Sequence, residues 1–174
     1  METHIGKGVG QYLQKELESA YEQILISTPL ISYSLAEKLV EFARKGIRIR
    51  IITSETNVSD YSKAIEYLRR FSKKSEMSEH NTFQFKIVSS HEVSLIHAKI
   101  YIIDDKCAIT GSVNLTEDSF FNYPEYAVIT RESNKISQIR SDFEKLWNMY
   151  TDMPMKTIAN KKIRKLIRNL ISKL

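Results

Sequence analysis

The chain has 174 residues, of which 42% are hydrophobic and 27% charged, and it carries a net charge of +5. This composition is ordinary for one soluble domain that is large enough to bury its own core. A single cysteine excludes a disulfide framework, no apolar run has the length of a membrane span, and the first residues do not resemble a secretory signal. We therefore expect a cytoplasmic protein.

Helical and extended patterns alternate along the first half of the chain. The glycine-rich stretch at residues 6–10 is predicted to be a flexible lead-in. Apolar residues at helical spacing indicate helices, and short apolar runs rich in β-branched residues indicate strands. The predicted helices are residues 11–21, 35–44 and 61–71, the predicted strands are residues 23–27 and 47–53, and the polar residues 73–81 are predicted to form a loop.

Four predicted strands and one predicted helix follow in the second half. The strands are residues 83–88, 98–103, 107–110 and 126–130, and the helix is residues 136–150, with an apolar stripe along one side. Helix–strand alternation followed by a hairpin is typical of an α/β fold with a mixed β-sheet flanked by helices on both faces. Because the sequence contains no internal repeat, residues 1–155 are predicted to form one domain.

The last 19 residues have a different charge balance from the rest of the chain. Residues 156–174 contain seven Lys or Arg and no acid, so the other residues carry a net charge of −2. Apolar residues recur at helical spacing, which predicts a basic amphipathic C-terminal helix. Its basic face is a candidate nucleic-acid-binding surface, and the residues assigned to it are Lys161, Lys162, Arg164, Lys165 and Arg168.

Two other interpretations of this helix remain open. It suits an anionic membrane surface, on which a basic amphipathic helix lies flat. It also suits a solvated helix whose charges have no function. In the nucleic-acid interpretation, the apolar side packs on the domain itself or on a dimer partner.

One motif carries the chemistry, and it has the pattern H-x-K-x4-D-x6-G-S-x-N. Because side chains alternate along a strand, His97 and Lys99 are expected on one face of the predicted strand 98–103. Asp104 comes seven positions after His97, so it lies on the other face or in the hairpin turn and is expected to be structural. Gly111 supplies conformational freedom at the end of the returning strand. Ser112 and Asn114 follow two positions apart, where they can point together beside the His–Lys pair.

These residue types suit an anionic phosphodiester. A histidine ring serves as nucleophile or general acid, and a lysine ammonium binds a phosphate oxygen. Asn114 and Ser112 add neutral donors for charge that develops in the transition state, although Ser112 also suits a turn cap. Nothing in the set resembles a metal site, so no metal and no cofactor is expected.

The motif resembles the HKD signature of the phospholipase D superfamily. Similar features are the strand at residues 24–29, the G-I-R-I-R-I-I run at residues 46–52, and an N-x-x-E element ending at Glu125. Together they cover roughly residues 8–150. The resemblance implies a metal-independent reaction through a phosphohistidine, with His97 as nucleophile or acid and with Lys99, Asn114 and Ser112 on the phosphate. It also implies that Glu125 holds the second ring nitrogen of His97.

The chain has one motif, whereas the implied reaction needs two histidines. His4, His80 and His91 have no lysine two positions on. We therefore expect a homodimer in which two His97 side chains meet across a two-fold axis. Single-motif members of the superfamily, including small bacterial endonucleases, are built in this way.

Three functions follow from these expectations. The favoured one is a nuclease that cleaves DNA or RNA. The second is a phospholipase or phosphatidyltransferase that uses the same site at a membrane. The third is a non-catalytic nucleic-acid-binding protein with the same fold.

Overall fold

The computed structural model describes residues 1–76, 82–88 and 96–150, which form a seven-stranded mixed sheet with α-helices on both faces. The strands are β1 (Glu2–Gly6), β2 (Gln23–Ser27), β3 (Arg48–Ser54), β4 (Phe83–Val88), β5 (Ile100–Ile103), β6 (Cys107–Gly111) and β7 (Glu125–Thr130). The helices are α1 (Gly10–Glu18), α2 (Tyr33–Arg44), α3 (Ser59–Glu76) and α4 (Ser133–Met149), and Asp118–Asn122 forms one turn of π-helix.

The strand order is β1-β7-β6-β5-β2-β3-β4. Strands β2, β3 and β4 are parallel because α2 and α3 carry the chain back between them. The remaining pairs are antiparallel, and β5 and β6 form the predicted hairpin. The carboxyl ends of β2 and β3 therefore lie at the same edge of the sheet as the start of β5.

Two hydrophobic cores lie on opposite faces of this sheet. Ile24 and Ile26 of β2 point toward α1, α2 and α3, whereas Leu25 between them points toward α4. Such burial on both faces explains why the middle of β2, Ile24 to Ile26, is apolar instead of alternating. The expected α/β fold, with a mixed sheet flanked by helices on both faces, is confirmed.

Two local predictions are wrong. Residues 6–10, which were expected to form a flexible lead-in, instead contain the last residue of β1 and the first residue of α1. Gly10 is closely packed, because an added Cβ there would lie 2.5 Å from the Cα of Phe120. Strand β1 escaped prediction because its sequence, ETHIG, is largely polar, as suits an edge strand. The expected loop at 73–81 begins later, because α3 continues through Glu76; residues 77–81 lie outside the described part.

The predicted C-terminal helix at residues 156–174 and the domain boundary at residue 155 also lie outside the described part. Within the described ranges, no helix is both long enough and apolar enough to cross a bilayer.

Candidate active site

The motif residues meet at the edge of the sheet where β5 begins and β6 ends. Antiparallel pairing places Ile100 opposite Thr110 and Gly111 opposite Ala127, so the start of β5, the end of β6 and the start of β7 are adjacent. All five residues predicted to act on a phosphate lie at or next to these ends, namely His97, Lys99, Ser112, Asn114 and Glu125.

His97 and Lys99 precede the strand that was expected to carry them, because β5 begins only at Ile100. Two buried hydroxyls hold this segment in place of a strand ladder. Ser27, at the end of β2, donates to the carbonyl oxygen of Ala98 at 2.9 Å. Ser54, at the end of β3, donates to the carbonyl oxygen of Ile96 at 3.0 Å. The backbone is thus fixed on both sides of the exposed His97 side chain.

The two serines were not predicted as site residues. The available signal was a serine that ends each strand soon after an apolar run, as in I-L-I-S and I-I-T-S. Buried polar groups must find hydrogen-bond partners, so each hydroxyl indicates a neighbouring acceptor. The sequence alone does not reveal that those acceptors flank His97.

Lys99 lies against the His97 ring. Its Nζ is 3.3 Å from both ring nitrogens and donates to the His97 carbonyl oxygen at 3.0 Å. Partial burial lowers the pKa of Lys99, and the negative charge of Glu125 opposes that shift. A cation and a histidine ring therefore lie side by side in a position open to solvent.

Glu125 has different partners from the one expected. Its carboxylate accepts hydrogen bonds from the hydroxyls of Ser112 and Ser119, and within the described residues it makes no hydrogen bond to His97. The reason is the strand order: β6 lies between β5 and β7, so Ser112 stands between Glu125 and the histidine segment. The buried carboxylate orders the G-S-x-N turn and contributes negative charge near Lys99.

Ser119, also unpredicted, connects this carboxylate to Asn114. Its hydroxyl donates to Glu125 at 2.6 Å and accepts from the backbone N–H of Asn114 at 3.2 Å. The Oδ1 atom of Asn114 is buried and has no hydrogen-bond partner within the described residues. Because this oxygen is unsatisfied, it can accept a hydrogen bond from a donor group that binds at the site.

The other two motif residues have structural surroundings. Asp104 lies at the opposite end of β5, fully buried, and accepts from the backbone N–H groups of Tyr21, Glu22 and Gln23. At Gly111, φ is +152° and an added Cβ would lie 2.1 Å from the carbonyl oxygen of Tyr126. Glycine therefore permits the close approach of β6 and β7 beside Ser112.

Five basic residues near the C-terminus are predicted to bind nucleic acid. Lys161, Lys162, Arg164, Lys165 and Arg168 lie outside the described residues. In the ranges that the structure describes, no group of three or more His, Cys, Asp or Glu side chains is arranged to hold a metal ion.

The mixed seven-stranded sheet, with a candidate site at one of its edges, defines the chain as an α/β domain. Residues 13–147 match the family described as "Cardiolipin synthase, PLD-like domain". The chain therefore belongs to this family, within the phospholipase D superfamily.

Comparison with individual proteins agrees with this assignment. The chain is 26% identical over 121 residues to mitochondrial cardiolipin hydrolase of Xenopus laevis, which covers 68% of this chain and 51% of that protein. The structure of NucT from Helicobacter pylori is similar, with a TM-score of 0.62, 21% identity, and coverage of 84% and 96% of the two chains. Nuc from Salmonella typhimurium, a phospholipase D family member, has a TM-score of 0.65, 19% identity, and coverage of 84% and 94%.

These similarities differ in what they cover. The chain spans about half the length, or less, of the curated relatives it matches. By contrast, it covers nearly all of NucT and Nuc, whose structures demonstrate the shared fold.

Proposed function

We propose that this protein is a metal-independent phosphodiesterase that cleaves DNA or RNA at a site shared by two subunits. The observation that carries the proposal is the exposed His97 ring, with its backbone fixed on both sides and the Lys99 ammonium 3.3 Å away. An accessible, oriented imidazole beside a phosphate-binding cation is what nucleophilic attack on a phosphodiester requires.

The reaction proceeds in two displacements. A ring nitrogen of His97 attacks phosphorus, the bond to the leaving oxygen breaks, and His97 of the second subunit protonates that oxygen. Water then attacks the phosphohistidine and gives a proton to His97 of the second subunit. The P–N bond breaks, which regenerates the first imidazole. The Lys99 ammonium groups of both subunits balance the charge on the non-bridging oxygens, and the Nδ2 groups of both Asn114 side chains donate hydrogen bonds to these oxygens.

A second subunit is proposed because the described part of the chain supplies one histidine to the site. The other described histidine, His4, lies on edge strand β1 and stacks on Tyr12 with ring centroids 3.8 Å apart. Strands β7 and β6 separate it from β5. His80 and His91 lie outside the described residues and lack the motif lysine.

Nucleic acid is preferred as the substrate because the chain matches the small structures NucT and Nuc over nearly their whole length, and the cardiolipin hydrolase only in part. The chain covers 94% and 96% of the two small structures it resembles, but 51% of the cardiolipin hydrolase. The relatives named for cardiolipin nevertheless favour an anionic phospholipid as the second candidate substrate. Both substrates contain the phosphodiester that the site suits.

A paired assay in excess EDTA separates the two substrates. The full chain is incubated with single- and double-stranded DNA and RNA oligonucleotides, and in parallel with vesicles that contain cardiolipin. We expect oligonucleotide cleavage that EDTA does not reduce, together with intact lipid. Lipid cleavage without oligonucleotide cleavage would replace the proposal by a phospholipase, and binding of oligonucleotide without any cleavage would replace it by a non-catalytic binder.

Removal of the Ser54 hydroxyl is expected to slow catalysis. In Ser54→Ala the Ile96 carbonyl loses its donor, so the segment that carries His97 becomes less ordered. We expect kcat to fall about 10-fold, since a net hydrogen bond contributes about 1 kcal/mol and precise positioning is needed in the transition state. KM should stay within about 2-fold, because the phosphate ligands remain.

Thr53→Val is the matched control. Thr53 is equally buried, on the same strand, and donates to the Pro29 carbonyl oxygen at 3.3 Å, away from the histidine segment. Both variants should lose about 1 kcal/mol of unfolding free energy, measured by urea denaturation. Equal losses of kcat in the two variants would show that Ser54 acts only through general stability.

A further inference from the structure

The hydroxyl of Tyr101 holds the turn that carries Asn114. Tyr101 lies in β5, two residues after Lys99, and is 1% exposed. Its hydroxyl donates to the backbone carbonyl oxygen of Val113 at 2.8 Å. Because Val113 is the residue between Ser112 and Asn114, a buried side chain of β5 reaches the middle of the G-S-x-N element.

This hydrogen bond is one half of a clamp on a single peptide unit. The carbonyl of Val113 and the N–H of Asn114 belong to the same planar peptide. The oxygen of this peptide accepts from Tyr101, and its N–H donates to the Ser119 hydroxyl at 3.2 Å. Rotation of the peptide plane would therefore break both hydrogen bonds at once. We call these two contacts, from Tyr101 and Ser119, the peptide clamp.

The two side chains of the peptide clamp are themselves held in place. Strand β5 is the central strand of the sheet, and at Tyr101 it is paired with β2 on one side and β6 on the other. Ser119 lies in the π-helical turn and donates to the buried Glu125 carboxylate at 2.6 Å. The backbone of Asn114 is thus fixed relative to β5, the strand that begins directly after Lys99.

The hydroxyl of Tyr101 has a role that its ring does not explain. A phenylalanine would fill the same space in the core between the sheet and α1 to α3. Val113 is 2% exposed, and a buried carbonyl oxygen needs a donor. Burial raises the pKa of Tyr101, and a hydrogen bond with Thr28 opposes part of that shift. The phenol therefore stays protonated near neutral pH and serves as a fixed donor, not as an acid or base.

We propose that Tyr101 is a positioning residue for the phosphate site, where it acts through Asn114 and not on the reacting atoms. This inference rests on the proposed function, in which the Nδ2 group of Asn114 donates to a non-bridging oxygen. If the peptide plane turns, the Asn114 side chain no longer points at the phosphate, and a misplacement of about 1 Å can slow a reaction by about 100-fold. The peptide clamp keeps this donor aimed before the substrate binds, so less reorganisation is needed in the transition state.

The test removes the Tyr101 hydroxyl from the full chain and keeps the ring. We expect Tyr101→Phe to lower kcat for oligonucleotide cleavage about 10-fold, with KM within about 2-fold of wild type, because the phosphate ligands remain. Thr53→Val is the matched control, since it removes a similarly buried hydroxyl that donates to the Pro29 carbonyl oxygen. Its kcat should stay within about 2-fold of wild type.

A double-mutant cycle separates positioning from general stability. Asn114→Ala removes the proposed donor and should lower kcat about 100-fold. Because Tyr101 acts through Asn114, adding Tyr101→Phe to Asn114→Ala should change kcat by less than about 2-fold. A further loss of about 10-fold in the double variant, equal to that of the single variant, would show that Tyr101 acts through stability alone and would overturn the inference.

Hydrogen exchange followed by NMR tests the peptide clamp without any cleavage. In Tyr101→Phe the Asn114 N–H should exchange at least about 5-fold faster, while the N–H of Ile102, in the same strand as Tyr101, should change by less than about 2-fold. Equal acceleration at the two amides, or none at Asn114, would overturn the inference. Faster exchange at Asn114 alone, in a protein whose wild type cleaves neither oligonucleotide nor lipid, would leave the peptide clamp standing and overturn only the proposed function.

Discussion

His97→Ala is expected to lower kcat for EDTA-resistant cleavage by about 10⁴-fold or more. A symmetric dimer loses the nucleophile and the general acid through this one substitution, so both contributions disappear together. Oligonucleotide affinity should remain within about 3-fold, because Lys99 and Asn114 are retained. Single-turnover kinetics and fluorescence anisotropy measure the two quantities separately. His4→Ala is the matched control, since His4 lies on β1 against Tyr12, and it should cleave at the wild-type rate.

Mixed dimers make the same prediction sharper. When wild-type and His97→Ala chains are refolded together, only dimers with two wild-type chains contain both histidines. Activity should therefore follow the square of the wild-type fraction: with one quarter wild type, it should be about one sixteenth of the undiluted value. A linear dependence, with about one quarter of the activity, would mean that each chain works alone and would contradict the shared site.

The sequence predicted the α/β fold and the motif residues that lie together at the candidate site. These features depend on short-range patterns, namely apolar periodicity and the spacing of His97, Lys99, Ser112 and Asn114. The predicted strands β2 and β4 match the observed bounds because both are apolar runs with clear ends. Asp104 was expected on the other face or in the hairpin turn, and it lies in that turn, at the opposite end of β5 from His97.

The supporting contacts could not be predicted in the same way. Ser27 and Ser54 are about 71 and 42 residues from the carbonyls they hold, so only the folded sheet brings each pair together. The contact of Glu125 with Ser112 and Ser119, in place of His97, depends on β6 lying between β5 and β7. The strand order, and not the spacing of the motif, sets the partners of each side chain.

The second large expected effect is on the free energy of unfolding, and it concerns the motif aspartate, Asp104. Asp104→Ala should lower the unfolding free energy by about 3 kcal/mol. The buried carboxylate accepts three backbone hydrogen bonds that tie the β5–β6 turn to the start of β2. Its removal leaves the N–H groups of Tyr21, Glu22 and Gln23 without this acceptor, at a cost of about 1 kcal/mol or more each. Urea denaturation measures the loss.

Two further variants test whether the loss of stability comes from the Asp104 carboxylate itself or from any substitution in this turn. Asp104→Asn keeps an oxygen for two of the donors and tolerates the positive φ of 51° at this residue, so it should lose about 1–2 kcal/mol. Asp105→Ala, next in sequence but 79% exposed and paired with Arg140, should lose at most about 1 kcal/mol.

In each of the three variants, the folded protein should keep a kcat within about 2-fold of wild type, because Asp104 touches none of the site residues. A 100-fold loss of kcat in stable Asp104→Asn would contradict this structural role. Retained kcat with reduced stability would mean that the aspartate holds the β5–β6 turn in place, whereas His97 and Lys99, which precede β5, carry out the chemistry.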